Sequence, residues 1–214
     1  LQYTEAPFCM FCDQDDIWLP NRIEKMYEAI ARLKQETPQV VYSNAYLWNT
    51  EKGIISDKNT LTYPKTLRKM LFLNTGIQGA ASIFNQAMCH YLRQPLECYA
   101  MHDHVLLLAG ICFGEVHYLH EPLMYYRQHD KNVTGNAPGS IQKKVLQMWQ
   151  NRRVPLVSRL HWEGLNAFFT RFHRDLSAEN KQLIEVFLHM RQQSFIARLR
   201  EIVKHRFQLF DSTV

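Results

Sequence analysis

No apolar run in this 214-residue chain reaches the roughly 18–20 residues that a membrane-spanning helix needs. The longest, VLLLAGICF (Val105 to Phe113), suits a buried helix instead. No cleavable leader is recognisable, and neither internal repeats nor low-complexity tracts occur. Cysteine is scarce in a telling way: five is an odd count for a disulfide framework. Cys9 and Cys12 have the CxxC spacing of metal and redox sites, but no second such pair follows. On a strand, residues three apart point to opposite faces. The thiols are therefore read as structural, and the expected compartment is a reducing one, the cytosol. The Asn132–Thr134 match to a glycosylation acceptor carries no meaning there.

Charge is present but unevenly placed. Residues 1–139 hold 12 basic and 14 acidic side chains, whereas residues 140–214 hold 13 and 6. The two parts are expected to face different surroundings. The loop DKNVTGNAPGS (Asp130 to Ser140) supplies the boundary. Before it, strands alternate with helices. Residues 8–12 read as a strand, and LPNRIEKMYEAIARLKQETP as a helix with Pro20 in its first turn and Ile23, Met26, Ile30 and Leu33 on its apolar face. Residues 40–56 read as a hairpin, and 66–74 as either a short helix or a strand. Residues 77–85 read as a strand whose Asn85 caps a short helix to about Leu92. A buried helix from His102 ends at Gly114, and two short strands are expected on either side of Glu121-Pro122. Such interleaving predicts an α/β layer architecture with a mixed sheet, followed by helices.

The densest chemistry lies in FCDQDDIW, where Asp13, Asp15 and Asp16 follow the first strand. Ligands collect beyond the carboxyl ends of strands in open α/β sheets. Three neighbouring carboxylates repel one another unless something positive lies among them. One or two carboxylates with phosphate oxygens can hold Mg²⁺ or Mn²⁺. Acids at a helix start are equally accounted for by the helix dipole. On this motif alone both readings stand. Phosphoryl transfer through an aspartyl nucleophile also uses such a strand end. It would call for a lysine-bearing block and a late paired-Asp loop, which are not found, so it is a distant alternative.

Four blocks occur in order: FCDQDDIWLPNRIE, GAASIFN, MHDHVLLLAGICFG and YYRQHDKNVTG. Together they resemble family-2 glycosyltransferases, inverting enzymes of the glycosyltransferase A fold that use a nucleotide-diphosphosugar donor. The pattern is most similar to bacterial rhamnosyltransferase-like members and covers roughly residues 5–137. The resemblance implies that Asp13 and Asp15 form the Asp-x-Asp pair that holds a divalent metal (Mg²⁺ or Mn²⁺), with Asp13 also reaching the donor. It implies Asp103 as the catalytic base, Arg127 as a donor diphosphate partner and His129 as a further metal ligand. Gly79, Trp18 and His102 fall on the acceptor side. The implied partners are the nucleotide-diphosphosugar and a glycan or lipid-linked glycan acceptor of cell-surface polysaccharide synthesis.

One feature departs from that family. Its members carry a nucleotide-binding βαβ unit before the Asp-x-Asp strand, and only about seven residues precede Phe8 here. The domains expected are thus 1–139, a catalytic domain lacking that first unit, and 140–214, a basic helical extension. This chain alone is expected to bind donor weakly, and a non-catalytic remnant acting as an interaction module is the alternative. In the extension, residues 141–153 form a basic amphipathic stretch that fits either packing on the catalytic domain or contact with an anionic membrane. The expected location is therefore cytoplasmic, peripheral to the inner face of the membrane. Residues 180–207 read as a second long helix. No motif for reading nucleic acid is present, and none is expected as partner.

Overall fold

The computed structural model describes residues 1–72, 78–128 and 157–208. They build an α/β fold around a mixed sheet. Strand β1 (Phe8–Met10) pairs antiparallel with β5 (Ser82–Asn85), which pairs antiparallel with β3 (Gln39–Asn49). Next to β3 runs β6 (Glu115–Arg127), parallel to it, and β2 (Ile17–Trp18) closes that side antiparallel to β6. The order is β1-β5-β3-β6-β2, with β4 (Gly53–Ser56) folded back on β3. The expected hairpin over 40–56 is this β3–β4 pair. Asn49 Oδ1 accepts from the backbone N–H groups of Glu51 and Lys52, and Gly53 takes a φ of 72° that favours glycine.

Adjacent residues of β3 face opposite layers, as pleating demands. Val41 packs with Ile83, Leu123 and the buried Met26 and Ile30 of helix α1 (Arg22–Ala31). Val40 and Tyr42 face the larger cluster on the other side. There lie α2 (Leu67–Met70), α3 (Gln86–Leu92) and α4 (His102–Phe113), joined by the C-terminal helices α5 (Arg159–Phe172) and α6 (Ala178–His189). Phe168, Phe172, Ile184 and Phe187 belong to the same apolar cluster as Val40, Phe84 and Leu106. The boundary drawn at 139/140 and the stretch 141–153 lie outside the described residues. No helix among the described residues is long and apolar enough to cross a membrane.

Several expectations are corrected here. Residues 115–127 form one continuous strand, not two broken at Pro122. The β3–β6 register shifts on both sides of the Asn44–Pro122 pair, so the proline sits at an irregularity where a missing N–H is tolerated. Residues 79–81 are a single 3-10 turn leading into β5. The expected long helix over 180–207 is two, α6 and α7 (Phe195–Lys204), separated by a 3-10 turn at Met190–Gln192. The break has a capping cause: Ser194 accepts from the N–H of Ala197, as Ser158 and Ser177 do at the starts of α5 and α6. Asn85 caps α3 through the N–H of Met88, as anticipated. Cys9 lies with its sulfur 3.6 Å from that of Cys89, whose thiol burial pushes up to about 12, while Cys12 is exposed. The two cysteines of the CxxC do not converge.

Gly114, which ends α4, has an extended φ of −150° and is needed for space rather than for conformation. A Cβ there would overlap the carbonyl oxygen of Pro38, at the entry to β3. Gly114→Ala is therefore expected to cost about 1–3 kcal/mol, the usual range for overpacking. Urea denaturation checks this, and an unchanged midpoint would show that the Pro38 turn yields freely.

Candidate functional site

The acidic loop joins β1 to β2, and the carboxyl end of β6 meets it. Asp13 is exposed, whereas Asp15 and Asp16 are half-buried. One Asp16 oxygen accepts the backbone N–H of Arg127 at 3.3 Å. The other is buried without a hydrogen-bond partner among the described residues. Burial pushes the Asp16 carboxyl up to about 6, and the negative charges of Asp13 and Asp15 push the same way against the Arg127 N–H and the Arg22 guanidinium. Among the described residues no three His, Cys, Asp or Glu side chains converge as a metal-holding group.

Arg22 was not singled out in the sequence. It is fully buried, in the first turn of α1. The helix turns Arg22, Met26 and Ile30 inward, leaving Ile23 59% exposed, so the apolar face drawn from Ile23 is corrected by a shift of one residue. The i, i+4, i+8 stripe was in the sequence, but an arginine at its head read as surface. Its guanidinium lies 4.4 Å over the Trp18 ring and donates to the carbonyl of Ala80. Burial lowers its proton affinity to about 10 against the opposing pull of Asp16, and its Nε and Nη1 have no partner among the described residues. Its charge opposes the rise of the Asp16 carboxyl, as the smallest of the influences on it.

The turn at 79–81 is bonded by both Arg22 and Asp103. Arg22 holds the Ala80 carbonyl. The Asp103 carboxyl accepts from the backbone N–H of Gly79 and, at 2.7 Å, of His104. The bond from His104 occupies one of the N–H groups that the first turn of α4 leaves free. Burial raises the Asp103 carboxyl above its ordinary range, while the neighbouring His102 and the backbone N–H groups oppose that rise. His102 is exposed, with its ring centre 4.6 Å from that of Phe11, two residues before Asp13. A Cβ on Gly79 would overlap the His102 ring, so the glycine makes room for it.

The structure thus brings together Gly79, His102 and Asp103, and through the Ala80 carbonyl it ties the same turn to Arg22, which packs on Trp18 and feels the charge of Asp16. Trp18 packs with Ala45, Ala80, Ala81 and Met124. Arg127 joins the acidic loop through its backbone, and its guanidinium lies 5.1 Å over the Trp48 ring. His129 lies outside the described residues.

Beside Asp103, His104 contacts His161 of α5 with ring centres 5.0 Å apart. Burial and then the His161 charge push His104 down to about 4. Its folded affinity for protons is below the unfolded one, near 6.5, so stability present above pH 6.5 is lost as the pH falls toward 4. His104→Gln is expected to flatten that decline, as read by thermal midpoints across pH 4–7. An unchanged slope would assign the decline elsewhere.

No protein-family model matches the chain, and no curated protein does. The functional reading therefore rests on residues and geometry.

Proposed function

We propose that this chain carries the transfer site of an inverting glycosyltransferase of the glycosyltransferase A fold, similar to family-2 rhamnosyltransferase-like enzymes. One observation carries the reading. A carboxyl of raised proton affinity, Asp103, bonds the Gly79–Ala81 turn, and Arg22, whose charge acts on Asp16 of the acidic loop, bonds the same turn through the Ala80 carbonyl. Inverting transfer needs such a pair: a base for the acceptor hydroxyl, and opposite it a place for a departing diphosphate.

In this reading Asp103 takes the proton from the acceptor hydroxyl as its oxygen attacks the anomeric carbon. The raised affinity supports that role, because a base works best when its pKa approaches the working pH. Gly79 makes room for the His102 ring, and His102 and Trp18 are assigned to the acceptor side. Asp13 and Asp15 would hold a divalent cation, Mg²⁺ or Mn²⁺, which when bound neutralises the diphosphate's charge. The buried, unpartnered oxygen of Asp16 and the mutual repulsion of the acids fit a cationic occupant. Arg127 is assigned to the donor, together with His129. The acceptor would be a glycan or lipid-linked glycan of cell-surface polysaccharide, reached from the cytoplasmic side. The non-catalytic alternative draws on a different observation: among the described residues β1 is an edge strand, with β5 as its one neighbour, and an unpaired strand edge can take up a partner strand.

The test is nucleotide release from a panel of nucleotide-diphosphosugars, with Mn²⁺ and with the protein expressed from its whole reading frame. Release with at least one donor, lost on Asp15→Asn, is expected. Calorimetry with a nucleoside diphosphate and Mn²⁺ runs alongside. Neither release nor binding across the panel would favour the interaction module.

A further inference from the structure

Helix α7 is held by one edge and turned outward along another. Its inner edge is Ile202, which with Phe207 joins the main apolar cluster. Below it, the Arg68 side chain donates to the His205 carbonyl at 3.0 Å, and the Gln208 N–H donates to the Arg68 carbonyl at 2.9 Å. The outer edge is apolar and open: Phe195 is 53% exposed, Ile196 79%, Leu199 43% and Val203 76%. At 100° per residue these four side chains span an arc roughly 100° wide, that of the apolar stripe of a surface helix. Here the stripe faces away from the core.

The charges around that stripe have one sign. Arg200 and Lys204 are exposed and follow its flank, and Arg206 is exposed just beyond the helix. Arg198 is occupied with the carbonyls of Gln193 and Arg191. The helix's one acid, Glu201, lies on the opposite flank, 3.2 Å from His205. An apolar strip bordered by cations is complementary to an anionic lipid surface, where apolar side chains enter the acyl boundary and cations stay with the headgroups. A protein groove would have to supply matching acids along one flank; a layer of anionic lipid supplies them at every point.

We infer that α7 is a membrane-surface anchor that binds anionic lipid in the plane of the bilayer through Phe195, Ile196, Leu199 and Val203, with Arg200 and Lys204 at the headgroups. This assignment is independent of sugar transfer, and it uses residues other than 141–153.

Co-sedimentation of the 214-residue chain with vesicles tests it. Partitioning onto phosphatidylcholine mixed with phosphatidylglycerol is expected to exceed that onto phosphatidylcholine alone by about tenfold or more, and to fall with salt. Ile196→Ser with Val203→Ser is expected to lower it by about tenfold. Because these side chains are exposed, the thermal midpoint should hold. Arg200→Glu with Lys204→Glu should remove the preference for anionic vesicles. Equal binding to both vesicle types overturns the assignment. So does binding that survives Ile196→Ser/Val203→Ser but is lost on Lys143→Glu/Lys144→Glu. A wild-type dimer in sedimentation equilibrium that the same apolar substitutions dissociate would show that a second copy covers the face, and would overturn it too.

Discussion

Asp103→Asn is expected to lower sugar transfer by roughly 10²- to 10⁴-fold, the usual contribution of a positioned base, without unfolding the protein. The amide keeps an oxygen able to accept from the N–H of His104, so the start of α4 stays satisfied. It cannot take a proton. The loss should appear in kcat, with donor affinity unchanged, since none of the acids assigned to the donor is among the groups acting on Asp103. Transfer at the wild-type rate would remove Asp103 from the mechanism. A thermal midpoint that falls together with activity would show that the carboxylate serves the helix start instead, the role that its place in the first turn also permits.

Arg22→Met is expected to destabilise the fold by about 1–3 kcal/mol, the usual range for leaving a buried polar partner unsatisfied. Methionine fills much of the space and can still pack on Trp18, so the loss reports on charge and hydrogen bonding. The Ala80 carbonyl loses its donor, and Asp16 is left with like charges and the Arg127 N–H. Adding Asp16→Asn should recover a good part of that loss, because the unpaired charge is then gone. Urea denaturation of the four proteins in a double-mutant cycle measures the coupling. Additive losses would mean that Arg22 and Asp16 do not feel each other. Because Arg22 also fixes the turn on which Asp103 leans, Arg22→Met should lower activity beyond what stability explains.

Much of this arrangement was legible in the residue pattern. The alternation of strands and helices, the Asn85 cap and the turn after Asn49 follow from short-range chemistry that a sequence displays directly. What escaped depends on long-range packing. Pro122 is a strand breaker by local rules, yet β3 accommodates it by shifting register, which only the partner strand reveals. Ile23 and Arg22 exchange roles because the inward stripe is set by what α1 meets across the sheet: Val41, Ile83 and Leu123 deeper in, and the Ala80 carbonyl at its head. A buried cation is costly without such partners, and no local pattern announces them. The split of α6 from α7 was different. Ser194 is a capping signal in plain view, outweighed by the apolar periodicity on either side of it.

The parallel run of β6 beside β3 carries a consequence for biosynthesis. Gln39 waits for Glu115 and Trp48 for Arg127, while Phe8 waits for Asn85. A nascent chain leaving the ribosome therefore holds β1 unmatched until residue 85 has emerged, and one edge of β3 until residues 115–127 have. Loop closure over such spans is slow, and unmatched strand edges invite association with other chains in the interval. Yield in a heterologous host should consequently depend more on temperature and chaperone supply than on the stability of the finished fold.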